Sequence, residues 1–202
     1  MIDALIYDVE IAKAVQSHHE FLIDGVEYCN GWKDLAGMGI ACVCAYDYVE
    51  DRYRTFFKDN MREFNGLLLN RRMIVGFNSV KFDNELLLYD QATSNTSLAL
   101  RSYDILREIW IALGLDPNVY EETTHGGYGL DDVCKANFFI TKSGHGAQAP
   151  VDYQRGNYGS LVDYCLNDVR LTKRLFDHIL ENGYIVNPRD TGRIIRVKRP
   201  RL

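Results

Sequence analysis

Apolar positions follow two rhythms along this chain, and each predicts a different element. Residues 2–9 and 39–48 are apolar and rich in β-branched and aromatic types, while 53–57 alternates polar with aromatic residues. These stretches predict three strands, the last two joined by a polar turn around 46–52. In 61–70 the spacing changes to that of a helix, through Met61, Phe64, Leu67 and Leu68, and the apolar run 73–77 suits a buried strand. Residues 82–91, with Leu86, Leu87 and Leu88, predict a helix; 102–105 predicts a short strand and 106–113 a helix ended by Gly114 and Pro117. The segment 114–159 reads as loop-rich, with one helix over 130–137 between glycine-rich stretches at 125–129 and 143–147. A helix over 160–181 is the strongest signal: Leu161, Cys165, Val169, Thr172, Leu175, Phe176 and Ile179 share one face, Ser160 suits the cap, and Asn182-Gly183 the stop. Three strands followed by alternating helices and strands predict an α/β or α+β fold with a mixed sheet.

Composition narrows this further. The chain has 202 residues, 47% hydrophobic and 25% charged, with no repeat or linker tract, which predicts one domain able to bury a core without disulfide staples. No apolar run has the length of a membrane span, and acids near the N-terminus give no secretory signal, so a cytoplasmic location is expected. The five cysteines include no Cys-x-x-Cys pair; Cys42 and Cys44 alternate as same-face strand residues and are expected to be reduced thiols in or near the core. The net charge of −5 hides an asymmetry. Arg189, Arg193, Arg196, Lys198, Arg199 and Arg201 give the segment 189–202 a basic character that suits a polyanion, so the chain divides into a body, 1–188, and a basic C-terminal tail.

Candidate chemistry lies in the acids. Asp8 and Glu10 stand two residues apart at the end of the first predicted strand, hence on one side of it, where two carboxylates repel unless a cation or proton intervenes. Asp83 follows the apolar run 73–77 and a short loop, near the start of a helix. Asp168 sits mid-helix beside Val169, one turn after Tyr164, flanking or joining the buried stripe. Four carboxylates with no histidine or cysteine ligand motif beside them suit two hard divalent cations, Mg²⁺ or Mn²⁺, rather than zinc. His18, His19 and His125 show no ligand spacing.

In these motifs the chain resembles the DEDD 3′-5′ exonucleases of the tyrosine subgroup. Asp8-Val-Glu10 is similar to their first motif, Asn78-Ser-Val-Lys-Phe82-Asp83 to the second and Tyr164-Cys-Leu-Asn-Asp168-Val to the third, in the right order. The second and third are most similar to the proofreading domain of family B DNA polymerases, and the likeness runs from residue 1 to about Gly183. It implies a ribonuclease-H-like fold, a five-stranded mixed sheet with its first three strands antiparallel and helices on both faces. It also implies Asp8, Glu10, Asp83 and Asp168 as metal ligands and Tyr164 as the group that orients a water. Asp163 stands where the histidine subgroup has its His, and Ile11 where the family often has Thr or a small residue.

The function so implied is a free-standing two-metal-ion 3′-5′ exonuclease acting on the 3′ end of single-stranded nucleic acid. DNA is the preferred substrate, with 5′-mononucleotides as product and a replication or repair protein as a partner. An exoribonuclease, including one for short RNA, is the alternative, because the acids contact phosphate and metal rather than the 2′ position. A non-catalytic nucleic-acid-binding module of the same fold is the alternative of another class; retention of all four acids argues against it, since a binder gains by losing negative charge. Asn78 and Phe82 are expected to shape the cleft, Phe82 by packing. Lys142 and the glycines around His145 suit either a phosphate contact or a plain surface loop.

Overall fold

The computed structural model describes residues 2–16, 22–91, 96–140 and 146–201. Five strands make the main sheet: β1 (Ala4–Ile11), β2 (Ile40–Asp47), β3 (Arg52–Phe56), β4 (Met73–Gly76) and β5 (Ser102–Asp104). Their order is β3-β2-β1-β4-β5. β1 pairs antiparallel with β2, and β2 with β3, whereas β4 and β5 run parallel to β1. The antiparallel half needs only the tight turn between β2 and β3. The parallel half needs crossovers, and α1 (Met61–Asn70) and α2 (Asp83–Gln91) flank β4 to provide them. Next come α3 (Ile105–Ala112), α4 (Leu130–Phe138), α5 (Ala149–Gln154) and the long α6 (Tyr158–Asn182).

Because β1 is central, both its faces are buried, and its alternation splits the core in two. Leu5, Tyr7 and Val9 join Phe64, Leu68, Leu86 and Leu87 on one face. Ala4 and Ile6 join Cys42, Cys44, Leu161, Cys165, Val169 and Phe176 on the other. α6 therefore lies across the face to which the even-numbered residues of β1 point. A buried bidentate ion pair closes the edge of the β2–β3 turn: Arg71 donates from Nε and a terminal nitrogen to Asp47 at 2.8 and 2.6 Å.

The expected α/β architecture, a five-stranded mixed sheet flanked by helices, is present, with differences at the margins. β1 extends to Ile11, so Asp8 and Glu10 lie inside the strand rather than at its end; the register slips immediately after Glu10. β4 stops at Gly76, where a Cβ would come within 2.4 Å of Ser79 Cβ, so only glycine lets the following loop fold back. α6 begins at Tyr158 after Asn157, placing Ser160 inside the first turn instead of at the cap; it ends as expected at Gly183, whose φ of 72° is the left-handed stop. Among its described residues the loop-rich segment also holds short helices at Glu122–His125, Gly146–Gln148 and α5. His125 is a satisfied core histidine, its ring nitrogens engaged by Thr124 Oγ1 at 2.8 Å and Asp116 O at 3.1 Å.

The segment expected as a basic tail is largely structured, and the division at 188/189 falls inside a hairpin. β6 (Tyr184–Val186) pairs antiparallel with β7 (Ile194–Arg196). Ile195 and Val197 are buried in the α6-side core, and Tyr103 Oη donates to Lys198 O at 2.7 Å. Lys198, Arg199 and Arg201 line a cavity of about 320 Å³ with Arg72 and Arg101, at the end of the sheet where β4 and β5 begin. That is the end opposite the four acids.

Candidate functional site

The sequence carries its acids on three separate elements, and the fold brings them to one place. Asp8 and Glu10 leave the same face of β1; Asp8 is half-buried and Glu10 buried. β4 pairs only with residues 4–6 of β1, so the edge of β1 beyond Tyr7 is open on that side. Asp83, the first residue of α2, occupies the opening: the Val9 N–H donates to Asp83 Oδ1 at 2.9 Å. The second motif is thereby fastened to the backbone between the two acids of the first. From the sheet face, α6 adds Asp168, which joins the buried stripe with Leu161 and Cys165. Tyr164 lies one turn earlier on the same helix, half-buried, and a Cβ at Gly146 would stand 3.4 Å from its hydroxyl. Asp163 is exposed.

A fifth acid, which sequence reasoning missed, sets the loop. Asp104 ends β5 and caps α3; its carboxylate accepts from the backbone N–H of Asn78 at 2.9 Å, Val80 at 3.0 Å and Arg107 at 3.3 Å. Asn78 holds a left-handed φ of 62°, which lets the chain turn from β4 toward α2. The signal for Asp104 was an acid between a short apolar strand and a helix, the usual sequence sign of an N-cap.

The electrostatics follow from burying so many carboxylates together. Burial pushes Asp83 up to about 7; Val9 and its own backbone N–H oppose the shift, and Asp104 and Asp168 add to it. Burial also raises the Tyr7 phenol, which donates to Asn84 Oδ1, with Asp83, Asp104 and Asp8 reinforcing the rise. A site of this kind favours any cation that can enter it.

The donor set fits hard divalent cations in type, since carboxylate oxygens dominate it. In spacing it departs from a simple cage. Among the described residues, ligand atoms of Asp8, Glu10 and Cys165 lie within 4.8 Å of one another, while Asp83 is held on the open edge of β1 by the Val9 N–H and Asp168 comes from α6.

Around the acids, Phe82 is half-buried and packs on the α1–α2 side core, and Asn78 is exposed. Lys142 and His145, like His18 and His19, lie outside the described residues. A second feature the sequence did not single out is Trp32. It is 69% exposed, its ring 6.1 Å from that of Phe82 and tilted against it. Standing in the irregular Asn30-Gly31-Trp32 segment, it belongs to no periodic pattern.

Comparison with solved structures finds the same fold in an enzyme that acts on DNA. The family B DNA polymerase from the hyperthermophilic archaeon Pyrobaculum calidifontis superposes with a TM-score of 0.50 at 15% identity, over 88% of this chain and 24% of that one. The chain thus spans about a quarter of the polymerase's length. No family model matches the sequence, and no curated protein does. At this identity the likeness speaks for the fold alone: an α/β, ribonuclease-H-like arrangement of a five-stranded mixed sheet between helices.

Proposed function

We propose that this protein is a 3′-5′ exonuclease of the tyrosine-bearing DEDD type, releasing 5′-mononucleotides from single-stranded nucleic acid, with DNA the favoured substrate. The observation that carries the proposal is the Asp83 carboxylate on the Val9 N–H, between Asp8 and Glu10, with Asp168 of α6 near enough to act on the Asp83 charge and Tyr164 one turn before it on that helix. The coarser likeness to part of a DNA polymerase supports a nucleic-acid substrate.

In this reading Asp8, Glu10, Asp83 and Asp168 hold two Mg²⁺ or Mn²⁺ ions. Those ions, when bound, would lower the pKa of a water and balance charge on the leaving oxygen. The chain's own residues do the rest. Tyr164 Oη orients the attacking water, a task that needs position rather than basicity. The buried walls from Val9 and Cys165 limit solvent around the carboxylates. Asp104 keeps the 78–83 loop in register, so that Asp83 stays on β1. Trp32 and Phe82 offer aromatic faces at the rim, where a terminal base would stack.

Purified protein should release mononucleotides from 3′ ends when Mg²⁺ or Mn²⁺ is added and not in chelator, and matched DNA and RNA oligonucleotides decide the sugar. Tight oligonucleotide binding with no release under any divalent ion would favour a binding module instead. Tyr164→Phe should keep metal binding and lower turnover by roughly 10- to 10³-fold; unchanged turnover in single-turnover kinetics would remove Tyr164 from the mechanism. Trp32→Ala should raise KM by about 5- to 100-fold with little change in kcat, as for the loss of one stacked base. An unchanged KM would leave Trp32 outside the substrate path.

A further inference from the structure

A second set of donors lies against the carboxylates. In the antiparallel register of β1 and β2, Asp8 faces Cys44 and Glu10 faces Cys42. Residues directly opposite share a sheet face, so two acids and two thiols form one patch beneath α6. Cys165 comes down on it from the helix, its thiol donating to Asp8 O at 3.5 Å. The sulfur atoms of Cys42, Cys44 and Cys165 lie within 4.8 Å of one another, and Cys165 Sγ lies within the same distance of carboxylate oxygens of Asp8 and Glu10. Cys29 and Cys134 are also buried and form no disulfide, but join no such group among the described residues.

Those distances match one ion. Three sulfurs held at the usual zinc–sulfur bond length stand about 3.8 Å apart, so the three thiols need only small side-chain rotations to share a cation. A lone buried cysteine behaves as a small hydrophobe. Three converging from a strand and a helix, with carboxylates alongside, make a donor set of the class that selects zinc-like metals.

We propose that Cys42, Cys44 and Cys165 form a site for a thiophilic divalent cation, Zn²⁺ or its analogue Cd²⁺, with Glu10 or Asp8 supplying an oxygen at the fourth position. The sulfurs coordinate as thiolates, so the thiol protons they carry leave to solvent as the ion enters and no other bond breaks. Mg²⁺, a hard ion, does not compete for the sulfurs. Occupancy draws Asp8 or Glu10 toward the sulfurs and fixes α6, with Tyr164 and Asp168, against β2. The functional consequence rests on the exonuclease reading above: Zn²⁺ switches the enzyme off while Mg²⁺ remains abundant.

The test is a Cd²⁺ titration of the full chain in excess Mg²⁺. A thiolate-to-cadmium charge-transfer band should saturate at one equivalent, with protons released as it forms. Cys42→Ala, Cys44→Ala and Cys165→Ala should each weaken Cd²⁺ binding by at least about tenfold, whereas Cys29→Ala and Cys134→Ala leave it unchanged. Cadmium NMR of the unmodified protein reports the number of coordinating sulfurs without any variant, and should show three. No band, or a cadmium shift in the all-oxygen range, overturns the site. Zn²⁺ should inhibit nucleotide release by the unmodified protein and spare Cys44→Ala. A band without nuclease activity would sink the exonuclease reading and leave the metal site standing; activity without a band would do the reverse.

Discussion

Asp168→Ala and Asp83→Asn should each lower metal-dependent nucleotide release by about 10³-fold or more while the metal-free protein keeps its fold. The carboxylates repel one another, so removing one relieves a cost the folded chain carries without cations. At position 83 the asparagine keeps an oxygen to accept the Val9 N–H, which isolates the charge from the hydrogen bond. Burial, with Asp104 and Asp168, raises the Asp83 pKa from 3.8 to about 7. A carboxyl raised by folding contributes stability that is complete below its unfolded pKa and lost as pH rises through its folded pKa. In chelator, the unmodified protein should therefore lose stability between about pH 4 and 7, and Asp83→Asn should lack that component. Thermal melting across this window, alongside release assays, checks both halves. Retained turnover in Asp168→Ala, or a large loss of metal-free stability, would mark these acids as structural.

Asp104→Ala should cost about 3–5 kcal/mol of stability and reduce turnover even where the protein is folded. Three backbone N–H groups, of Asn78, Val80 and Arg107, lose their acceptor. A buried donor left unsatisfied costs about 1–3 kcal/mol, and the lost helix cap adds to it. The same bonds set the turn that delivers Asp83 to β1, so activity should fall beyond what unfolding explains. Denaturant unfolding gives the first quantity, and turnover measured well below the melting temperature gives the second. Full activity per folded molecule would show that Asp83 is placed by α2 alone.

What the sequence revealed follows from periodicity. α1 and α6 announce themselves because their apolar residues recur at helical spacing, and β1 and β2 because they are buried on both faces and hence largely apolar. Asp8, Glu10, Asp83 and Asp168 were legible because a carboxylate inside an apolar pattern breaks a rule that folding enforces. Asp104 and Trp32 break none: one looks like an ordinary cap and the other like a loop residue, and their roles depend on partners 24 to 26 or 50 residues away. The sulfur cluster was half visible. Cys42 and Cys44 alternate within β2, but only the register with β1 and the descent of α6 show what faces them.

The C-terminal hairpin alters how its positive charge has to be studied. Removing residues 189–202 would strip β6 of its partner strand, uncover Ile185 and take Ile195 and Val197 out of the core. A truncated chain would thus confound electrostatics with damage to α6, which ends in that hairpin and carries Tyr164 and Asp168. Arg196, Lys198 and Arg201 are exposed, and replacing them with glutamine changes charge while keeping the strand pairing. Since their side of the sheet is the far one from the acids, a strand reaching both would have to pass around the domain, making substrate length rather than affinity for the terminal nucleotide the variable that reports on these residues.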